Sequence, residues 1–125
     1  MTEVKDLVKG PFKDENAFKA AVLKAWRKNN SYYKRFEIEN EEKEPGMPDV
    51  LSISPARPAF FTEFKISDAK GVVEFQKTQP LFYRRNEDIF IQILVWDIRF
   101  NRIVLITPND VIEARSLKIK LPEEL

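Results

Sequence analysis

The run from Ile89 to Trp96 (IFIQILVW) is apolar at every position except Gln92. A strand of that composition has no solvent face, so it belongs inside a sheet covered on both sides. Covering both sides demands a layered α/β arrangement, and the chain contains the helices to supply it. Asp14 is a cap for a segment, Glu15 to about Lys28, in which Phe18, Ala21, Val22, Ala25 and Trp26 recur on one face. Asn29-Asn30-Ser31 ends that helix. A second helix starts near Thr78, because Pro80 is tolerated only in a first turn, and it presents Leu81 and Phe82 to the core. A short third helix, Asp110 to Arg115, is capped by Pro108-Asn109.

Strands fill the remainder. Tyr32 to Ile38, Asp49 to Ile53, Ala59 to Ile66 and Arg102 to Thr107 read as extended, with a turn from Pro55 to Pro58 and a polar loop from Ser67 to Gly71. Gly71 to Phe75 continues extended, and Leu117 to Leu121 is a basic, strand-like tail. The order is helix, three strands, helix, two strands, short helix. It predicts one α/β domain over residues 1–125 with a mixed sheet flanked by helices.

Within that frame, Gly46 to Lys65 (GMPDVLSISPARPAFFTEFK) reads as a β-hairpin. It sets Asp49 on one strand and Glu63 with Lys65 on the next. Side chains alternate along a strand, so Glu63 and Lys65 share a face and Phe64 takes the other. Two carboxylates and an ammonium converging there can hold a divalent metal and manage a water beside it.

Absences narrow the chemistry. With no cysteine, thiol catalysis, disulfides and thiolate metal sites are excluded, and with no histidine the commonest general base is gone. Three glycines (Gly10, Gly46, Gly71) cannot build a Walker loop or a dinucleotide turn, which argues against a nucleotide cofactor. No apolar run is long enough for a membrane span, and MTEVKDLVKG has no signal-peptide core, so the chain reads as soluble and cytoplasmic.

Net charge is only +1, but it is unevenly distributed. Lys24, Arg27, Lys28, Lys34 and Arg35 occur with no acidic residue among them; Glu37, Glu39, Glu41, Glu42 and Glu44 follow at once. The asymmetry fits a basic face for phosphates beside an acidic centre, and equally a solvated helix end followed by a charged loop.

The motif Pro48-Asp49 followed by Glu63-Phe64-Lys65, on these elements, resembles the PD-(D/E)XK nuclease superfamily, whose core is αβββαβ and restriction-endonuclease-like. The run Val73 to Tyr83 (VEFQKTQPLFY) is similar to the segment after the active-site lysine in Holliday junction resolvases and virus-type replication-repair (VRR-NUC) nucleases. There a glutamine at the helix start supports the site; Gln79 with Phe82 fits that pattern, with Gln76 as the competing candidate. The resemblance spans roughly Glu15 to Glu113.

The resemblance implies Mg²⁺ or Mn²⁺ held by Asp49, Glu63 and the Phe64 backbone carbonyl, with catalysis by Asp49, Glu63, Lys65 and Gln79. Many members add a first-helix glutamate. Glu15 stands one turn before Phe18 and can face inward, but as a first-turn acidic residue it also suits the helix dipole. Arg27, Lys28, Lys34, Arg35, Arg84 and Arg85 are candidate contacts to the nucleic-acid backbone.

The implied activity is endonucleolytic hydrolysis of branched or structured DNA by a homodimer, leaving 5′-phosphate ends. A compact chain of this kind fits a stand-alone phage, viral or archaeal nuclease. Two alternatives remain: a nucleic-acid-binding module that keeps the fold without cutting, and a structural domain in which Asp49, Glu63 and Lys65 are surface ions. Taken singly, a Glu-x-Lys pair on a strand is usually such an ion pair, worth under about 1 kcal/mol.

Overall fold

The computed structural model describes residues 1–29, 32–39, 41 and 43–125. Asn30, Ser31 and Glu42, named above in the helix end and the acidic run, lie outside the described residues. The elements run β1 (Thr2–Val4), α1 (Glu15–Asn29), β2 (Lys34–Glu37), β3 (Val50–Ser54), β4 (Arg57–Ile66), β5 (Val72–Glu74), α2 (Thr78–Arg85), β6 (Ile91–Asp97), β7 (Arg102–Ile106), α3 (Pro108–Glu113) and β8 (Lys118–Lys120).

Six strands form one mixed sheet in the order β1-β7-β6-β4-β3-β2. Only β4 and β6 pair in parallel; the other neighbours are antiparallel. A parallel pair needs a crossover, and the β5–α2 segment provides it. Alternation along β6 then separates two cores. Ile93 and Val95 join Phe82 and Tyr83 of α2 and Val111 of α3, whereas Leu94 and Trp96 join Phe18, Val22 and Leu23 of α1. The sheet is therefore flanked by helices on both faces, as its central apolar strand demands. Asp14 caps α1 by accepting the Ala17 N–H at 2.8 Å.

Register fixes which side chains meet. Glu63 lies beside Ile93 and Lys65 beside Val95, so both point toward the α2 side. Phe64 lies beside Leu94 on the α1 side, with its ring centroid 5.8 Å from that of Phe18 and 6.1 Å from that of Trp26.

Several expectations need correction. The turn at Pro55 to Pro58 is shorter than expected, and β4 already begins at Arg57. Pro58 is accommodated because the β3–β4 register shifts between Ser52 and Ser54, leaving Pro58 and Ala59 opposite Ile53. A bulge of that kind needs no ladder donor from proline. Asp49 lies immediately before β3 rather than within it. The α3 cap is Thr107: its hydroxyl accepts the Asp110 N–H at 3.1 Å while Asp110 accepts the Thr107 N–H at 2.9 Å, and Pro108 takes the first turn. The tail strand β8 pairs with β5 in a separate two-stranded sheet. The short strand β1 was not expected at all. No helix among the described residues is long and apolar enough to cross a membrane.

Candidate active site

Four elements converge on one cleft of about 500 Å³, lined among others by Glu15, Lys43, Asp49, Glu63, Lys65 and Gln79. Asp49 stands immediately before β3, Glu63 and Lys65 come from β4, Gln79 from the first turn of α2 and Glu15 from the first turn of α1. One wall is the turn before Pro48, in which the Met47 N–H donates to the Glu44 carbonyl at 3.0 Å. Gly46 in that turn has φ +86°, and a Cβ there would collide with the backbone carbonyl of Thr78. Glycine thus lets the turn press against the start of α2, and so closes the cleft around Gln79.

Gln79 joins the motif together. Its side chain is buried, its Nε2 donates to Glu63 Oε1 at 2.7 Å, and its Oε1 accepts from Lys65 Nζ at 3.0 Å and from the Gln76 N–H at 2.8 Å. Two donors on Oε1 and one carboxylate on Nε2 fix the amide orientation. Between the two candidate glutamines, then, Gln79 makes the bridge, while the Gln76 side chain is exposed at the cleft margin. The Lys65 ammonium also lies 5.0 Å from the centroid of the Phe75 ring.

Glu15, Asp49 and Glu63 each offer a carboxylate oxygen, and these oxygens lie within 4.8 Å of one another. The first-helix glutamate therefore belongs to the cluster. Phe64 contributes at the backbone: its N–H faces Asp49 Oδ2 at 3.5 Å.

Crowding three carboxylates has an electrostatic cost, and their proton affinities diverge accordingly. Burial, then hydrogen bonding to Asp49 and its charge, push Glu63 up to about 9. For Asp49 burial acts upward, but the hydrogen bond with Glu63 and the Lys43 ammonium outweigh it and hold the group below its usual value. Burial also raises Glu15. Glu63 thus holds a proton more readily than Asp49 does. An all-oxygen donor set of this kind fits a hard divalent cation such as Mg²⁺ or Mn²⁺, whose charge would favour the ionised forms.

Lys43 is the cleft residue that sequence reasoning missed. Its Nζ lies 2.5 Å from Asp49 Oδ1. The available signal was a lone lysine inside an acidic run, six residues before Asp49.

The expected phosphate contacts lie elsewhere. Arg27 and Lys28 are exposed in the last turn of α1, about 18 Å of helical rise from Glu15. Lys34 is exposed on the edge strand β2. Arg35 is half-buried, its guanidinium 4.9 Å from the Trp26 ring centroid and 5.4 Å from that of Tyr33. Arg84 and Arg85 are exposed in the last turn of α2, at the opposite end from Gln79. None of these six lines the cleft, where the basic groups are Lys43 and Lys65. Comparison with family models, with curated proteins and with solved structures returns no match.

Proposed function

We propose that this chain is a metal-dependent endonuclease of the PD-(D/E)XK type, acting on structured or branched DNA. The observation that carries the reading is the hydrogen-bonded chain Glu63–Gln79–Lys65 beside the carboxylates of Asp49 and Glu15. A surface ion pair would need neither the buried amide between Glu63 and Lys65 nor two more carboxylates within ligand distance.

Asp49, Glu63 and Glu15, with the Phe64 backbone carbonyl, would hold Mg²⁺ or Mn²⁺. When bound, such an ion would supply Lewis acidity toward a phosphodiester oxygen and make a water acidic enough to attack the phosphorus, with the 3′-oxygen leaving. The remaining work falls to the protein's own side chains. Gln79 holds the Glu63 carboxylate and the Lys65 ammonium in fixed relation, so neither must reorganise when substrate arrives. Lys65 places a positive charge where negative charge grows on the phosphoryl oxygens. Glu63 gives up its proton on going to the cation-loaded form. The family resemblance points to 5′-phosphate and 3′-hydroxyl products, and to a homodimer offering two sites to two strands; sedimentation of the purified protein tests the latter.

The test of activity is incubation with Mg²⁺ or Mn²⁺ and junction, flap and linear DNA. Cleavage is expected from the wild-type protein and lost in Asp49→Ala and Lys65→Ala. The alternative of a silent binding module rests on the small net charge and on the open role of Glu15; the carboxylate of Glu15 beside those of Asp49 and Glu63 supports the metal-dependent reading. Salt-dependent DNA binding with no metal-dependent cleavage would favour the silent module.

A further inference from the structure

Resting on the nuclease reading, we propose that Lys43 changes partners at this site. It neutralises Asp49 until a divalent cation binds, and then contacts a phosphate of the incoming DNA. The first half comes from the geometry of Asp49. Its Oδ1 is taken by the Lys43 ammonium at 2.5 Å, while Oδ2 faces the Phe64 N–H at 3.5 Å. The oxygens of Glu15 and Glu63 that would share a cation with Asp49 lie within 4.8 Å. An ammonium and a divalent cation cannot both hold the same few lone pairs without strong repulsion, so binding of one weakens the other.

The second half comes from where Lys43 can go. The turn that follows it is packed on the start of α2 through Gly46, so the backbone near Lys43 stays at the cleft. The long flexible stem of lysine lets the ammonium move while the backbone stays. Released from Asp49, the ammonium remains in the same cleft as Lys65, and on the nuclease reading the anion that enters this cleft is a phosphodiester. The cations expected to grip DNA lie outside the cleft, which leaves Lys43 and Lys65 as its basic groups.

The experiment has two readouts, neither of them cleavage. Mn²⁺ binding is measured by electron paramagnetic resonance for the wild-type protein, for Lys43→Ala and for Lys43→Met, which keeps most of the stem. Both variants are expected to bind Mn²⁺ roughly tenfold more tightly, the lower end of what one hydrogen bond to a charged group is worth. Duplex DNA binding is then measured against salt in a Lys65→Ala background, with and without Mn²⁺. Adding Lys43→Met should reduce the slope of log K against log salt by about 0.9 in the presence of Mn²⁺ and leave it unchanged without. Mn²⁺ affinity that is unchanged or weakened in both Lys43 variants overturns the exchange while leaving the nuclease reading intact. So does a salt slope indifferent to Mn²⁺. Failure of the wild-type protein to bind Mn²⁺ overturns both.

Discussion

The side-chain amide of Gln79 lies 2.7 Å from Glu63 Oε1, and its oxygen takes the Lys65 ammonium at 3.0 Å. One buried residue thus sets the spacing between the acidic and basic halves of the motif. Gln79→Ala is expected to cost about 1–3 kcal/mol of stability, because it leaves buried polar groups without partners. It should also lower DNA cleavage by roughly 10- to 100-fold, as loss of a supporting partner of a ligand does. Denaturant unfolding and single-turnover cleavage measure the two effects separately.

Glu63 predicts a pH dependence. Its proton affinity in the fold, about 9, is raised above the ordinary carboxylate value by burial and by Asp49, so the fold favours the neutral acid. The corresponding stability is fully present below the ordinary carboxylate range and is lost as pH rises toward about 9. In the presence of chelator, stability should therefore fall between those limits, with a slope of at most about 1.4 kcal/mol per pH unit from this proton. Glu63→Gln should flatten that slope. Mn²⁺ binding should release a proton over the same range, detectable by calorimetry in buffers of different ionisation enthalpy.

Gly46 predicts a coupling between stability and catalysis. Gly46→Ala puts a Cβ against the Thr78 carbonyl at a φ of +86°. The left-handed conformation alone costs an alanine about 1–2 kcal/mol. Relief of the clash must part the turn at Gly46 from the start of α2, which carries Gln79. The expected result is a lowered melting temperature together with cleavage slower than the stability loss explains, measured at a temperature where the variant remains folded.

Asp97 provides a contrast away from the cleft. Burial acts to raise it, but hydrogen bonds from Arg99 and then Arg102 outweigh this and hold it below the usual carboxylate value. Its stabilising contribution is fully present above the usual carboxylate value and is lost as pH falls below that value through the lowered one. Asp97→Asn should lower the melting temperature at neutral pH, lose that difference toward acid pH, and leave Mn²⁺ affinity unchanged.

Much of this arrangement was legible in the sequence because it depends on local pattern. The helical spacing of Phe18 and Val22, the apolar run ending at Trp96 and the alternation of Glu63, Phe64 and Lys65 each report one element and its buried face. What was illegible depends on contacts between elements. Strand β1 is three residues long with no full alternation, and it is defined by pairing with β7. The bulge opposite Ile53 follows from register, which no single strand encodes. Charge density marked Arg27 and Lys28 as phosphate contacts, yet the α1 axis carries them away from Glu15. Lys43 was hidden because an acidic run averages out a single cation, although its ammonium reaches Asp49. The sequence favoured Gln79 over Gln76 through Pro80, and the first turn of α2 buries Gln79 while Gln76, just before the helix, is exposed.

The central claim is that the cluster around Gln79 hydrolyses phosphodiesters with a divalent cation. It is tested most directly by mixing purified protein with branched and linear DNA, with Mn²⁺ or with chelator, beside folded Asp49→Asn and Lys65→Ala proteins. The prediction is Mn²⁺-dependent cleavage by the wild-type protein, leaving 5′-phosphate ends, and loss of that cleavage by at least about a hundredfold in both variants. Equal cleavage by all three proteins, or no cleavage by a wild-type protein that binds Mn²⁺ and DNA, would contradict it.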